Sequence, residues 1–107
     1  MSNRIGTITL TGASKKTYEF TIYKREQEFL AVGAVYVMSK LTTELRYRII
    51  YVGQTSDLSE RPLNHHKTDC FDEHGADHLL IHSEANEKKR LEIEADLIAA
   101  YNPPCNG

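Results

Sequence analysis

Glu94 is the residue whose position most needs a chemical reason. It stands three residues after Leu91, three before Leu97 and four before Ile98. Side chains three or four apart share a helix face, so a carboxylate falls on or beside an apolar stripe while Glu92 and Asp96 can point to water. A charge there is costly unless it is paired or binds a metal, so the alternatives are a rim salt bridge, with Arg90 one turn earlier, and a metal ligand. Tyr36 and Tyr51 each bring a phenol into a β-branched run, either for cross-strand packing or to present hydroxyls to a substrate. Arg61 and His65, four apart, would project from one helix face, as solvated surface or as a cation beside a group that titrates near neutrality.

The elements that must position these residues are legible as a change of period. Residues 4–11 and 17–24 alternate apolar and polar across GASKK and predict a β-hairpin. VGAVYVM (32–38) and YRIIYVG (47–53) predict two further strands joined by SKLTTELR, and HLLIH (78–82) predicts another core strand. KREQEFL between them is a connection or a short helical turn. After Gly53, Ser56 or Asp57 can cap a helix from Leu58; Pro62 instead suggests a later start, with Ser59 as cap, or a kink. A short helix is expected over 68–76, stopped by Gly75, and a long one over 86–101, ended by Asn102-Pro103-Pro104. Sheet followed by helices predicts an α+β fold: a small antiparallel sheet of about three core strands plus an extra N-terminal hairpin, flanked by helices.

The length of 107 residues suits one domain, read as a hairpin extension (1–30) and a core (31–107). A 40% hydrophobic and 26% charged composition is that of an ordinary globular chain. No apolar run of membrane-spanning length and no secretory leader is read, and a cytoplasmic protein is expected. Cys70 and Cys105 form no CxxC pair and are expected as reduced thiols. Cys70, His74 and His78 are four apart, but Gly75 and the strand at His78 break that register, so no zinc site is read. A net charge of −2 argues against coating nucleic acid by bulk charge and leaves room for a local basic patch of Arg46, Arg48, Arg61 and Lys67.

Taken in order, AVY (34–36), YVG (51–53), Arg61, His65, Glu94 and Asn106 resemble the GIY-YIG nuclease domain from about residue 33 to the end. The Gly53-x-Thr55-x-Asp57 segment and the string from Glu94 through Leu97, Ile98, Tyr101 and Pro103 to Asn106 carry the resemblance furthest. Ala34 stands where the family usually has glycine, with Gly33 beside it. The resemblance implies a metal-dependent endonuclease that hydrolyses phosphodiesters, DNA in the first instance, with specificity borrowed from a second copy or a partner protein. Tyr36 and Tyr51 would be the motif tyrosines, Gly53 would leave backbone room for a phosphate, and Lys67 would add a substrate contact. Arg61 would stabilise the phosphorane, His65 would be its partner, Asn106 would close the site, and Glu94 would hold one Mg²⁺, for which Mn²⁺ can substitute. A phenol titrates at roughly 10, so Tyr51 and His65 both remain candidates for activating water. The rival expectation is a non-catalytic module that binds nucleic acid or protein and keeps the fold.

Overall fold

A computed structural model describes residues 4–25, 29, 31–60 and 67–106. The elements run β1 (Gly6–Thr11), β2 (Thr17–Lys24), β3 (Ala34–Leu41), β4 (Tyr47–Thr55), α1 (Thr68–Glu73), β5 (His78–Ser83) and α2 (Glu87–Tyr101). The strands form one sheet in the order β1-β2-β5-β3-β4, antiparallel at every pairing. The fold is thus α+β, and the N-terminal hairpin extends the sheet by laying β2 along β5.

Strand position explains strand composition. β3 lies between β4 and β5 and is buried from Ala34 to Ser39, which its near-continuous apolar run requires. β1 is an edge strand and alternates instead. One face of the sheet packs Leu10, Phe20, Val35, Val37, Val52 and Leu80 against Ile93 and Leu97 of α2. The other face packs Tyr36, Met38, Ile50, Leu79 and Ile81 with Leu58, Cys105 and Phe71 of α1.

The helix ends follow local chemistry. Asn86 caps α2 by accepting from the Lys89 N–H at 3.1 Å. Asn102 closes it in the left-handed region (φ 45°), its N–H donating to the Ile98 carbonyl at 2.8 Å, and Pro103 forbids continuation. α1 is shorter than the expected 68–76, and Gly75, at φ 72°, turns the chain towards β5. Residues 58–60 form a turn in which the Asp57 carboxylate accepts from the backbone and hydroxyl of Ser59. The helix expected beyond them, Pro62 included, and most of KREQEFL lie outside the described residues. Among the described residues no helix is long and apolar enough to cross a membrane.

The stripe of α2 differs from expectation. Its buried residues are Arg90, Ile93 and Leu97, whereas Leu91 is 47% exposed. The helix is rotated because Arg90 satisfies its guanidinium internally: Nε donates to Gln54 Oε1 at 3.0 Å, and one terminal nitrogen to the carbonyls of Glu84 and Ala85. Asp96 does not simply face water either; it binds the first hairpin, through Ser14 and Tyr18.

Candidate functional site

The β3–β4 pairing places Tyr36 opposite Gly53 and Met38 opposite Tyr51. With a side-chain period of two, Tyr36 and Tyr51 project from the same face, their ring centroids 6.1 Å apart. A Cβ on Gly53 would stand 2.6 Å from Cζ of Tyr36 and 2.8 Å from Cε2 of Tyr51. The space that glycine leaves is therefore taken by the two phenol rings. The register shifts between Met38 and Ser39, and the bulge lets Ile50 and Tyr51 both pack towards α1. Tyr36 is 2% exposed, so its ring braces the strands; Tyr51 is partly exposed and leans on Phe71 with centroids 5.3 Å apart.

Asn106 is held by β4. Its Oδ1 accepts from the Val52 N–H and its Nδ2 donates to the Val52 carbonyl, each at 2.9 Å. The N–H of Cys105 donates to the Ile50 carbonyl at 3.0 Å, so the C-terminal tail lines the outer edge of β4. With both ends of its amide engaged, Asn106 is a positioning residue that fixes the strand between Tyr51 and Gly53. Thr55 and Asp57 of the Gly-x-Thr-x-Asp segment also act on backbone: the Thr55 hydroxyl donates to the Asp57 carbonyl and accepts from its N–H.

Glu94 is half-buried one turn after Arg90, on the helix packed against β4. The rim salt bridge with Arg90 does not form, since that guanidinium is turned to Gln54 and the two carbonyls. Among the described residues no hydrogen bond or ion pair reaches the Glu94 carboxylate, and burial alone pushes its pKa up. Glu94 and the tyrosine pair therefore flank one strand: α2 packs on the Val52 face and the phenols project from the other. Lys67 stands at the start of α1, partly buried; Arg61 and His65 lie outside the described residues.

The cysteines overturn the expectation of reduced thiols: Cys70 and Cys105 form a disulfide with Cα atoms 5.9 Å apart, tying α1 to the C-terminal tail. The pairing was hidden because 35 residues separate them and the fold alone brings the tail over α1. Arg90 and Asp96 were also missed as positioning residues. A hint was present in the sequence: Arg90, Ile93 and Leu97 share the spacing of one helix face. Comparison with protein-family models, curated proteins and solved structures finds no match for this chain.

Proposed function

We propose that this protein is a metal-dependent endonuclease of the GIY-YIG kind, hydrolysing phosphodiester bonds of nucleic acid, DNA in the first instance. The supporting observation is Glu94: a half-buried carboxylate without a partner among the described residues, raised in pKa by burial, beside the strand that carries Tyr51 and Gly53. One carboxylate completed by waters fits Mg²⁺ or Mn²⁺. Such an ion, when bound, supplies Lewis-acid stabilisation of phosphate charge. Arg61 binds the non-bridging oxygens and His65 removes the proton of the attacking water, since Tyr51 projects from the face of β4 opposite the one on which α2 carries Glu94. Tyr36, Gly53 and Asn106 hold β4 in register, and Lys67 adds a phosphate contact. This reading places the protein in the cytoplasm with its substrate, and β1 offers an edge to a second copy or a partner that supplies specificity.

The test is nicking of supercoiled plasmid with Mg²⁺ or Mn²⁺, against EDTA, Glu94→Gln and Arg61→Ala. Cleavage that needs metal and falls at least about 100-fold in both variants is the expected result. Thermal unfolding controls for folding and carries its own sign. A carboxyl raised in the folded state loses stability as pH rises from its unfolded pKa through its folded one, so at pH 7 and without metal Glu94→Gln melts at or above wild type. Mg²⁺ should raise the melting temperature of wild type and leave the variant unmoved. A second reading, a binding module without catalysis, is favoured by the burial of Tyr36 and the occupied amide of Asn106. Salt-sensitive DNA retention without nicking on plasmid, branched, single-stranded or RNA substrates would select it.

A further inference from the structure

We propose that Cys70, His74 and Cys105 form a zinc site when the Cys70–Cys105 disulfide is reduced. The ligand atoms of the three residues all lie within 4.8 Å of one another. Thiolates and an imidazole around one tetrahedral Zn²⁺ stand about 3.5–3.8 Å apart, given Zn–S near 2.3 Å and Zn–N near 2.0 Å, so side-chain rotation suffices to close the set. The backbone already holds the geometry. His74 follows Cys70 by one turn at the end of α1, its N–H donating to the Cys70 carbonyl at 3.1 Å. Cys105 is fixed by its own N–H on Ile50 and by Asn106 on Val52. Among the described residues the His74 imidazole has no hydrogen bond or ion pair. His78, by contrast, is engaged with Asp77 at 2.7 Å and stacks edge-on to Tyr47.

Access and chemistry agree. Cys105 is 1% exposed, but Cys70 and His74 are partly exposed, so a reductant and a metal can approach from that side. A dithiol reductant delivers two electrons and two protons to the bridge and leaves as its own disulfide. Zn²⁺ then binds both sulfurs as thiolates, releasing their protons to water, and accepts the neutral imidazole, with the fourth position open to solvent. The ion replaces the covalent tie between α1 and the tail, two segments that flank Tyr51 through Phe71 and Val52. Soft thiolate and imidazole donors set this site apart from the single carboxylate at Glu94, and nothing in it depends on cleavage of nucleic acid.

The experiment uses the full chain, oxidised and then reduced by a phosphine under anaerobic conditions, with Co²⁺ and Zn²⁺ as probes. The reduced protein should take up one equivalent more than the oxidised protein, show a thiolate-to-cobalt charge-transfer band, and gain melting temperature with Zn²⁺. Two thiols should become protected from alkylation. The oxidised protein should show no thiolate band, Cys70→Ser should lose it, and His74→Ala should weaken binding at this site at least tenfold while still folding. Reduced protein that shows no thiolate band and takes up no more metal than the oxidised protein, whether folded or not, overturns the proposal. So does His74→Ala binding as tightly as wild type, which would leave two cysteines acting without the histidine.

Discussion

The two hairpins of this chain turn by the same rule and serve opposite ends. In the first, the Gly12 N–H donates to the Lys16 carbonyl, the Lys15 N–H to the Gly12 carbonyl, and Lys15 takes φ 72°. In the second, Thr42, Arg46 and Leu45 repeat the bonds, with Leu45 at φ 62°. The tethers differ. The first turn is latched to α2: the Ala13 N–H donates to the Asp96 carbonyl, and the Asp96 carboxylate accepts from the Ser14 N–H, the Ser14 hydroxyl and the Tyr18 hydroxyl. The second hairpin is tied at the far end of its outer strand, where the tail brackets Val52, and its own turn projects with Leu45 80% exposed. One hairpin is fastened at its turn to a helix; the other is fastened where its tyrosines stand, which is where a site would need rigidity.

Glycine substitutions separate the two most strongly. Gly53→Ala puts a methyl against the ring of Tyr36, which the core encloses and leaves no room to withdraw, and should cost about 3 kcal/mol, the upper end of overpacking. Gly12→Ala meets the Asp96 carboxylate, the far end of a side chain that can swing away, and should cost clearly less. Urea unfolding of both variants decides the order. Equal losses would mean that the tyrosine pair yields as easily as the latch.

The tethers come next. Asn106→Ala removes two hydrogen bonds from an edge strand and should cost about 1–3 kcal/mol. Asp96→Asn should cost less at neutral pH, and its signature is the pH dependence. Hydrogen bonds from the Ser14 side chain and backbone, then from Tyr18, hold the Asp96 carboxyl below its ordinary value. A depressed carboxyl contributes stability above its unfolded pKa and loses it as pH falls through the folded one. Wild type should therefore melt above Asp96→Asn at pH 7, with the gap closing on acidification towards and below the ordinary Asp range. Asn106→Ala should show no such closing. A gap independent of pH would remove the latch.

These contrasts also mark how far the sequence alone reaches. The first hairpin was legible because apolar and polar residues alternate across a polar turn, the second because two β-branched runs flank a polar loop, and α2 because Asn102-Pro103-Pro104 ends it. The joining of β2 to β5 was not, because pairing partners distant in sequence carry no local signal. Of the candidate site, the shared face of Tyr36 and Tyr51 follows from the strand period. The occupation of Asn106 by Val52 and the bridge from Cys70 to Cys105 depend on where the tail lies, which only the assembled sheet edge determines. Arg90 was expected at the rim because charge suggests surface, whereas its donors are met by Gln54 and two carbonyls inside.

The smallest expected effect tests the likeness of the two turns. Lys15 and Leu45 both hold a left-handed backbone, which costs an L-residue about 1–2 kcal/mol relative to glycine, while glycine gives back about 0.5–1 kcal/mol through the greater freedom of its unfolded chain. Neither side chain is buried, so little packing is lost. Lys15→Gly and Leu45→Gly should each raise the melting temperature slightly, by up to about 1 kcal/mol of stability, and by similar amounts. Because the turns share their bonds but not their tethers, equal gains would locate the strain in the turn itself. A gain at Leu45 alone would mean that the Asp96 latch already imposes the first turn's shape, and the equivalence of the two hairpins would fail.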